Sequence, residues 1–146
     1  MTVPPEVTQA AIDTIGSYVK IATVEPLRSA KPAADLAGVF DAAALARVIG
    51  VDRVALVDEG LPKVTGDLDV VAKPVAITGL GDQDGKLTLL TASIDLDITG
   101  AVKGVPAAAG PLHIVRTGSF VFTPDATGTW KVSAYSMNVN LSLIHI

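Results

Sequence analysis

The sequence predicts an α+β domain in which N-terminal helices pack on one face of a strongly curved, four-stranded antiparallel sheet. Apolar residues recur at helical spacing in the first part of the chain, and from Asp67 onward they alternate with a period of two. The stretch 117–132, TGSFVFTPDATGTWKV, has the pattern of a strand, a polar turn and a second strand. One face of these strands is apolar, which predicts a curved sheet with the helices packed on that face.

The first helix is predicted to begin after Pro4 and Pro5 and to stop near Glu25, because Pro26 cannot continue a helix. Its apolar stripe consists of Val7, Ala11, Ile15, Tyr18 and Ala22. A linker over residues 27–34 is expected to follow.

Two shorter helices are predicted after the linker. Asp41 is expected to cap a helix that continues through Ile49 and ends at Gly50. Asp52 is expected to cap a third, short helix that ends at Gly60.

The strand pattern is clearest where four apolar residues alternate with polar ones, namely Ala92, Ile94, Leu96 and Ile98. Before it, the residues Gln83, Asp84 and Gly85 predict a three-residue hairpin loop with Gly85 in the left-handed conformation. That loop places Lys73 opposite Asp95. It also places Val70 opposite Ile98 on the buried side.

A slip of this register by two residues would put Asp69 directly against Asp97, and like-charge repulsion disfavours that pairing. The apolar phase changes near Pro74 and again at residues 89–90, so a bulge or sharp bend is expected at both places.

The composition limits the possible partners. Of the 146 residues, 49% are hydrophobic and 18% are charged, the net charge is −4, and the Lys and Arg residues form no cluster. An acidic chain without a basic patch does not favour nucleic acid as a partner. No apolar run approaches the ~20 residues of a membrane-spanning helix. The chain has no cysteine, which excludes disulfides and cysteine-ligated zinc.

The C-terminal end of the chain suggests an assembled fragment, in which Met1 could be an internal start. Residues 141–146, LSLIHI, are what the transposase adapter sequence CTG TCT CTT ATA CAC ATC encodes, so one native domain is expected over residues 1–140. An ordinary apolar strand end is the alternative. No signal peptide precedes Val3, which predicts a cytoplasmic protein if Met1 is the native start. A lost upstream signal or anchor would instead place the domain in the cell envelope.

The element order and the final hairpin resemble the nuclear transport factor 2-like, or SnoaL-like, superfamily. The residues that carry the likeness are Gly118, Phe120, Asp125, Gly128 and the triplet 130–132, WKV. The extracytoplasmic, lipoprotein-like or mammalian-cell-entry-associated members from high-GC Gram-positive bacteria are the most similar in character. The resemblance implies a cone with a pocket between helices and sheet. Members range from isomerases to inert binding modules, and none of their catalytic motifs is found in this sequence.

Arg116 is the residue that departs from its pattern, because alternation places it on the apolar face of its strand. A guanidinium there needs a carboxylate partner, for which Asp58 and Glu59 are candidates, or an anionic ligand. A local bulge could also turn it outward. Tyr18 on the first helix could direct its hydroxyl to the same cavity, and Trp130 is expected in the core or the pocket wall. The predicted pocket residues are therefore Tyr18, Asp58, Arg116 and Trp130.

The remaining polar patterns have simpler interpretations. The pairs Asp67/Asp69 and Asp95/Asp97 could gather four carboxylates around calcium, but a solvated strand face is the preferred interpretation. His113, the one histidine outside the adapter-like end, is expected on the polar face, so no nucleophile-base pair or histidine metal cluster is predicted. No metal or cofactor is expected.

These observations predict a non-catalytic accessory or binding domain of the bacterial cell envelope, with a small apolar ligand or an envelope protein as partner. The alternative is a small-molecule isomerase or hydratase in which Asp58 acts as base and Arg116 or Tyr18 steadies an enolate. The outer sheet face is expected to be mostly polar, with Val115, Val121, Tyr135 and Met137 as its apolar residues. A monomer or a weak homodimer is therefore predicted.

Overall fold

The computed structural model describes residues 2–29, 35–104 and 111–143, and for residues 66–67 and 141–143 it describes the backbone. Part of the predicted linker and the last three residues of the adapter-like end lie outside this description. The helical elements are α1 (Pro5–Val19), a π turn (Lys20–Val24), α2 (Glu25–Arg28), α3 (Ala42–Val48), α4 (Arg53–Leu56) and a 3-10 turn (Asp58–Gly60). The strands are β1 (Val64–Ala72), β2 (Ile77–Gly81), β3 (Leu87–Val102), β4 (Leu112–Pro124) and β5 (Trp130–Leu143).

The fold class is confirmed: N-terminal helices pack on a strongly curled antiparallel sheet that forms a half-barrel. The sheet order is β1-β3-β4-β5, and β2 pairs with a further part of β3. The sheet has five strands where the sequence predicted four, because the first predicted strand is divided into β1 and β2. Residues 73–76 separate the two parts, which confirms the bend expected near Pro74.

The helix at the N-terminus does not stop before Pro26, so that prediction was wrong. It passes through the π turn and continues as α2 to Arg28. A proline ring clashes with the carbonyl four residues earlier in an α-helix and has no N–H to donate. The π turn widens the helix immediately before Pro26, where the Glu25 N–H bonds to the Lys20 carbonyl five residues back. The wider turn accommodates the ring.

The two caps predicted for the shorter helices have different outcomes. The Asp41 carboxylate accepts a hydrogen bond from the Ala44 N–H at 2.9 Å, so the cap of α3 is confirmed. The side chain of Asp52 makes no cap bond to α4, which contradicts the second cap. Its carboxylate instead accepts a hydrogen bond from the hydroxyl of Tyr135, a residue brought close by the sheet.

The predicted hairpin register is confirmed. The Asp82 N–H bonds to the Lys86 carbonyl at 2.9 Å, and Gly85 has a φ of 78°. Val70 lies opposite Ile98, and the Lys73 N–H bonds to the Asp95 carbonyl at 3.0 Å.

The slipped register does not occur, because Asp69 lies opposite Thr99. The second expected bend is present as a register shift between Leu80 and Gly81, whose partners on β3 are Leu89 and Leu87.

Strand β5 departs from the predicted alternation. Phe122 lies opposite Val132 while Val121 lies opposite Ala134, so Ser133 is an extra residue in a bulge. The bulge reverses the phase of all later residues. Tyr135 and Met137 therefore pack against the core, and their predicted place on the outer sheet face was wrong.

The space between α1 and β4 is occupied by aromatic rings in edge-to-face contact. The Tyr18 ring lies 5.2 Å from Phe120 and 6.0 Å from Phe40, measured between centroids. Phe120 in turn contacts Phe122 at 6.3 Å. These four residues are fully or almost fully buried, so the half-barrel is filled by rings at this level of the sheet.

A buried arginine–aspartate pair as the candidate functional site

Arg116 lies on the inner face of β4, as its alternation with Ile114 predicted. Its Cα is opposite Leu96 of β3 and Val139 of β5, in the middle of the sheet. The side chain is 0% exposed. A charged guanidinium at such a position costs several kcal/mol of desolvation unless its donors are paired.

Asp58 is the partner of Arg116. The two guanidinium nitrogens Nη1 and Nη2 donate to the two carboxylate oxygens of Asp58, each at 2.8 Å. The Asp58 side chain is 2% exposed, so the whole pair is shielded from water. Glu59, the other predicted partner, faces away and forms an ion pair with Arg53. The parallel two-bond geometry is the strongest arrangement available to an arginine and a carboxylate.

The hydroxyl of Thr23 bonds to both members of the pair, a role that the sequence analysis did not predict. Its hydroxyl donates to Asp58 Oδ2 at 2.8 Å and accepts from Arg116 Nη1 at 3.1 Å. Thr23 belongs to the π turn, so the local widening before Pro26 also sets the position of this hydroxyl. The only sequence feature that could have indicated this role is the position of Thr23, a polar residue next to Ala22 at the end of the apolar stripe.

The end of α4 supplies the remaining acceptors. Arg116 Nη2 donates to the Ala55 carbonyl at 3.1 Å, and the Tyr18 hydroxyl donates to the Leu56 carbonyl at 2.6 Å. The last carbonyls of a helix have no partner within it, which leaves them free to accept these bonds. The structure thus brings Tyr18, Asp58 and Arg116 together at one point beneath α4.

The electrostatics of the cluster favour one fixed protonation state. Burial has the largest effect and lowers the pKa of the Arg116 guanidinium, but hydrogen bonding to Asp58 and the electrostatic interactions with Tyr18 and Asp58 together outweigh it. The pKa of the guanidinium therefore lies above its ordinary value. Burial also raises the pKa of the Tyr18 hydroxyl well above its ordinary 10.0, and the nearby positive charge of Arg116 opposes that shift. Arg116 Nε is buried without a hydrogen-bond partner. Near neutral pH the cluster therefore holds a charged guanidinium and a neutral phenol.

Trp130, the fourth predicted pocket residue, lies elsewhere. It begins β5 opposite Pro124, at the far end of the β4–β5 hairpin from Arg116 and its neighbour Val139. Its side chain is half-buried against the core. The structure brings together three of the four predicted residues.

Asp95, Asp97 and His113 lie on the polar side of the sheet. Asp95 forms an ion pair with Lys73 at 3.3 Å, and Asp97 lies 2.6 Å from the imidazole of His113. His113 thus has the predicted outward direction. The side chain of Asp67 lies outside the description. Within the described ranges no three His, Asp or Glu side chains gather as metal ligands would.

An open depression of about 340 Å³ lies outside the buried pair, against α4 and the 3-10 turn. Its lining consists of Arg53, Val54, Val57, Glu59, Gly60 and Leu61. Arg53 and Glu59 form an ion pair at its rim, and hydrogen bonding to Glu59 raises the pKa of Arg53. The remaining lining is apolar, and Val54 is 90% exposed.

Comparison with known proteins identifies no relative: no protein-family model, curated protein or solved structure matches the chain. The helix-on-curled-sheet architecture is compatible with a nuclear transport factor 2-like fold. Among the described helices, none is both long and apolar enough to cross a membrane.

Proposed function

We propose that this chain is a non-catalytic accessory or binding domain of the bacterial cell envelope, related to the extracytoplasmic, SnoaL-like members of the nuclear transport factor 2-like superfamily. The relationship rests on the resemblance of the hairpin 118–132 and on an architecture compatible with that fold. The absence of catalysis rests on the state of the buried pair.

The observation that carries the proposal is that both carboxylate oxygens of the buried Asp58 accept hydrogen bonds within the core. A general base needs a free lone pair within reach of substrate and a path for the proton. Both Asp58 oxygens accept hydrogen bonds from Arg116, and one also accepts from Thr23. The Tyr18 hydroxyl is committed to a backbone carbonyl. The groups that the isomerase or hydratase alternative requires are thus used to hold the helices on the sheet.

Hydrogen exchange tests this part of the proposal. The purified chain is incubated in D₂O with 1,3-diketones, and separately with α,β-unsaturated esters, while exchange and hydration are followed by NMR. We expect rates equal to those in buffer. Acceleration that is lost in Asp58→Asn but kept in Asp13→Asn, which changes an exposed carboxylate of α1, would establish the enzyme instead. Circular dichroism of both variants separates lost chemistry from lost folding.

The proposed ligand is small and apolar, and the depression beneath Arg53 and Glu59 is its proposed place. Its volume of about 340 Å³ is within the range of ligand pockets, and its charged rim is already neutralised. The probe is the fluorescent dye 1-anilinonaphthalene-8-sulfonate. We expect Val54→Asp, which repels the sulfonate and removes apolar surface, to reduce its fluorescence enhancement several-fold, and Val71→Asp, at an exposed apolar position of β1, to leave it unchanged. Equal effects of the two variants would argue against this site.

The proposed location has its own test. An epitope tag on the chromosomal gene, followed by separation of envelope and cytoplasm, is expected to place the protein in the envelope fraction. A protein found only in the cytoplasm would refute the location while leaving the argument about Asp58 intact.

A further inference from the structure

Strand β5 forms one end of the sheet and is long. It extends from Trp130 to Leu143 and pairs with β4 throughout. On its other side, Val132 pairs with the segment 39–41, where the Asp41 N–H bonds to the Val132 carbonyl at 2.9 Å. Beyond Val132, no strand in the described part of the chain pairs with this outer side. Its outward backbone groups form a template for another strand.

The opposite end of the sheet is protected in the ways natural proteins use against pairing. The strand there is interrupted at residues 73–76, which include Pro74, and its register shifts between Thr65 and Asp69. Lys73 and Asp69 add charge. Beyond Lys131 and the bulge at Ser133, none of these devices occurs in β5, because residues 134–143 contain no Lys, Arg, Asp, Glu or Pro. The two ends of the sheet therefore differ in their capacity to accept a strand.

The side chains of β5 suit pairing with an identical strand. In an antiparallel pair related by a two-fold axis perpendicular to the sheet, inner residues face inner residues and outer residues face outer ones. The inner row of Tyr135, Met137 and Val139 is apolar and half-buried, so a second apolar row would cover it further. The outer row of Ser136, Asn138 and Asn140 is polar, exposed and uncharged. No like charges would meet in either row.

We propose that β5 pairs edge to edge with β5 of a second copy of this chain, antiparallel, through residues 136–140, so that Asn138 of one copy faces Asn138 of the other. The dimer is weak, because contact between two strand edges buries less than the roughly 1,000 Å² of a stable interface. The outer sheet face, which carries the charges of Asp95 and Asp97, stays exposed in this dimer. The two half-barrels then form one continuous sheet.

The absence of cysteine makes the geometry testable by cross-linking. We prepare Asn138→Cys on the exposed side of β5, and Thr91→Cys on the outer face of β3 as the matched control. Under mild oxidation at high protein concentration we expect a disulfide-linked dimer from the first variant and little from the second. Efficient cross-linking of Thr91→Cys, or equal cross-linking of both, would overturn the edge pairing.

Sedimentation equilibrium tests the same interface without cross-links. The average mass of the wild type is expected to rise toward that of two chains between micromolar and millimolar concentration. Asn138→Lys places like charges near the two-fold axis and should keep the chain monomeric, while Thr91→Lys should behave as the wild type. A wild type that stays monomeric at millimolar concentration refutes the proposal, and so does a dimer that Asn138→Lys leaves intact.

Discussion

Removing one member of the Arg116–Asp58 pair should destabilise the protein severely, whereas replacing both members should not. Asp58→Leu leaves the buried guanidinium with only the Thr23 hydroxyl and the Ala55 carbonyl as acceptors. It loses two charge-assisted bonds of about 1.5–3 kcal/mol each, which agrees with the roughly 3–5 kcal/mol cost of an unpaired buried charge. Arg116→Met removes the cation, so the buried Asp58 carboxylate is left unpaired at a similar cost in stability. A domain of this size has a total stability of only about 5–15 kcal/mol.

The double variant Arg116→Met with Asp58→Leu removes both charges and fills the space with apolar side chains. It also removes Arg116 Nε, a buried donor without a partner. Its free energy of unfolding is therefore expected within about 2 kcal/mol of the wild type.

The assay for this cycle is urea unfolding followed by the fluorescence of Trp130, the one tryptophan, and by circular dichroism. We expect a coupling energy of several kcal/mol between the two positions. Additive losses in the double variant, or a loss below about 1 kcal/mol in Asp58→Leu, would show that the pair is not buried and coupled in solution.

Three further predictions concern stability. The pKa of Tyr18 is raised in the folded state, so the stability that its hydroxyl contributes is complete below pH 10.0, its ordinary pKa, and is lost as the pH rises further. Urea unfolding of the wild type and of Tyr18→Phe at a series of pH values measures this loss. The free-energy difference between the two proteins should fall by about 1.4 kcal/mol per pH unit above pH 10.0. Thr23→Val should cost about 1–2 kcal/mol in urea, because Asp58 Oδ2 loses a buried donor; an unchanged midpoint would contradict the hydrogen bond. Gly118→Ala should lower the free energy of unfolding by about 3 kcal/mol in thermal unfolding, because the new Cβ would lie 1.9 Å from the Ser136 carbonyl oxygen. Gly16→Ala is the control, since its Cβ would have no atom within 4 Å, and it should raise the free energy of unfolding by up to about 1 kcal/mol.

Much of the fold could be predicted because the signals are local. The loop 83–85 determines its hairpin through turn chemistry, and this hairpin sets the pairing of Val70 with Ile98. The Asp41 cap likewise depends on a bond within one helical turn. The inward direction of Arg116 follows from alternation, which holds along β4.

Other features were decided only by the tertiary structure, because they depend on contacts between segments that are distant in the sequence. The bulge at Ser133 turns Tyr135 inward, where its ring meets Phe40, and no turn residue marks that bulge in the sequence. The π turn that carries the helix through Pro26 places Thr23 against Asp58, a residue 35 positions away. The choice of Asp58 over Glu59 depends on which carboxylate the 3-10 turn directs inward. Local sequence patterns specify the periodicity of an element and the direction of its side chains. The bonding partner of a buried charge is selected by packing, because the charge pairs with whichever group the folded core brings within bonding distance.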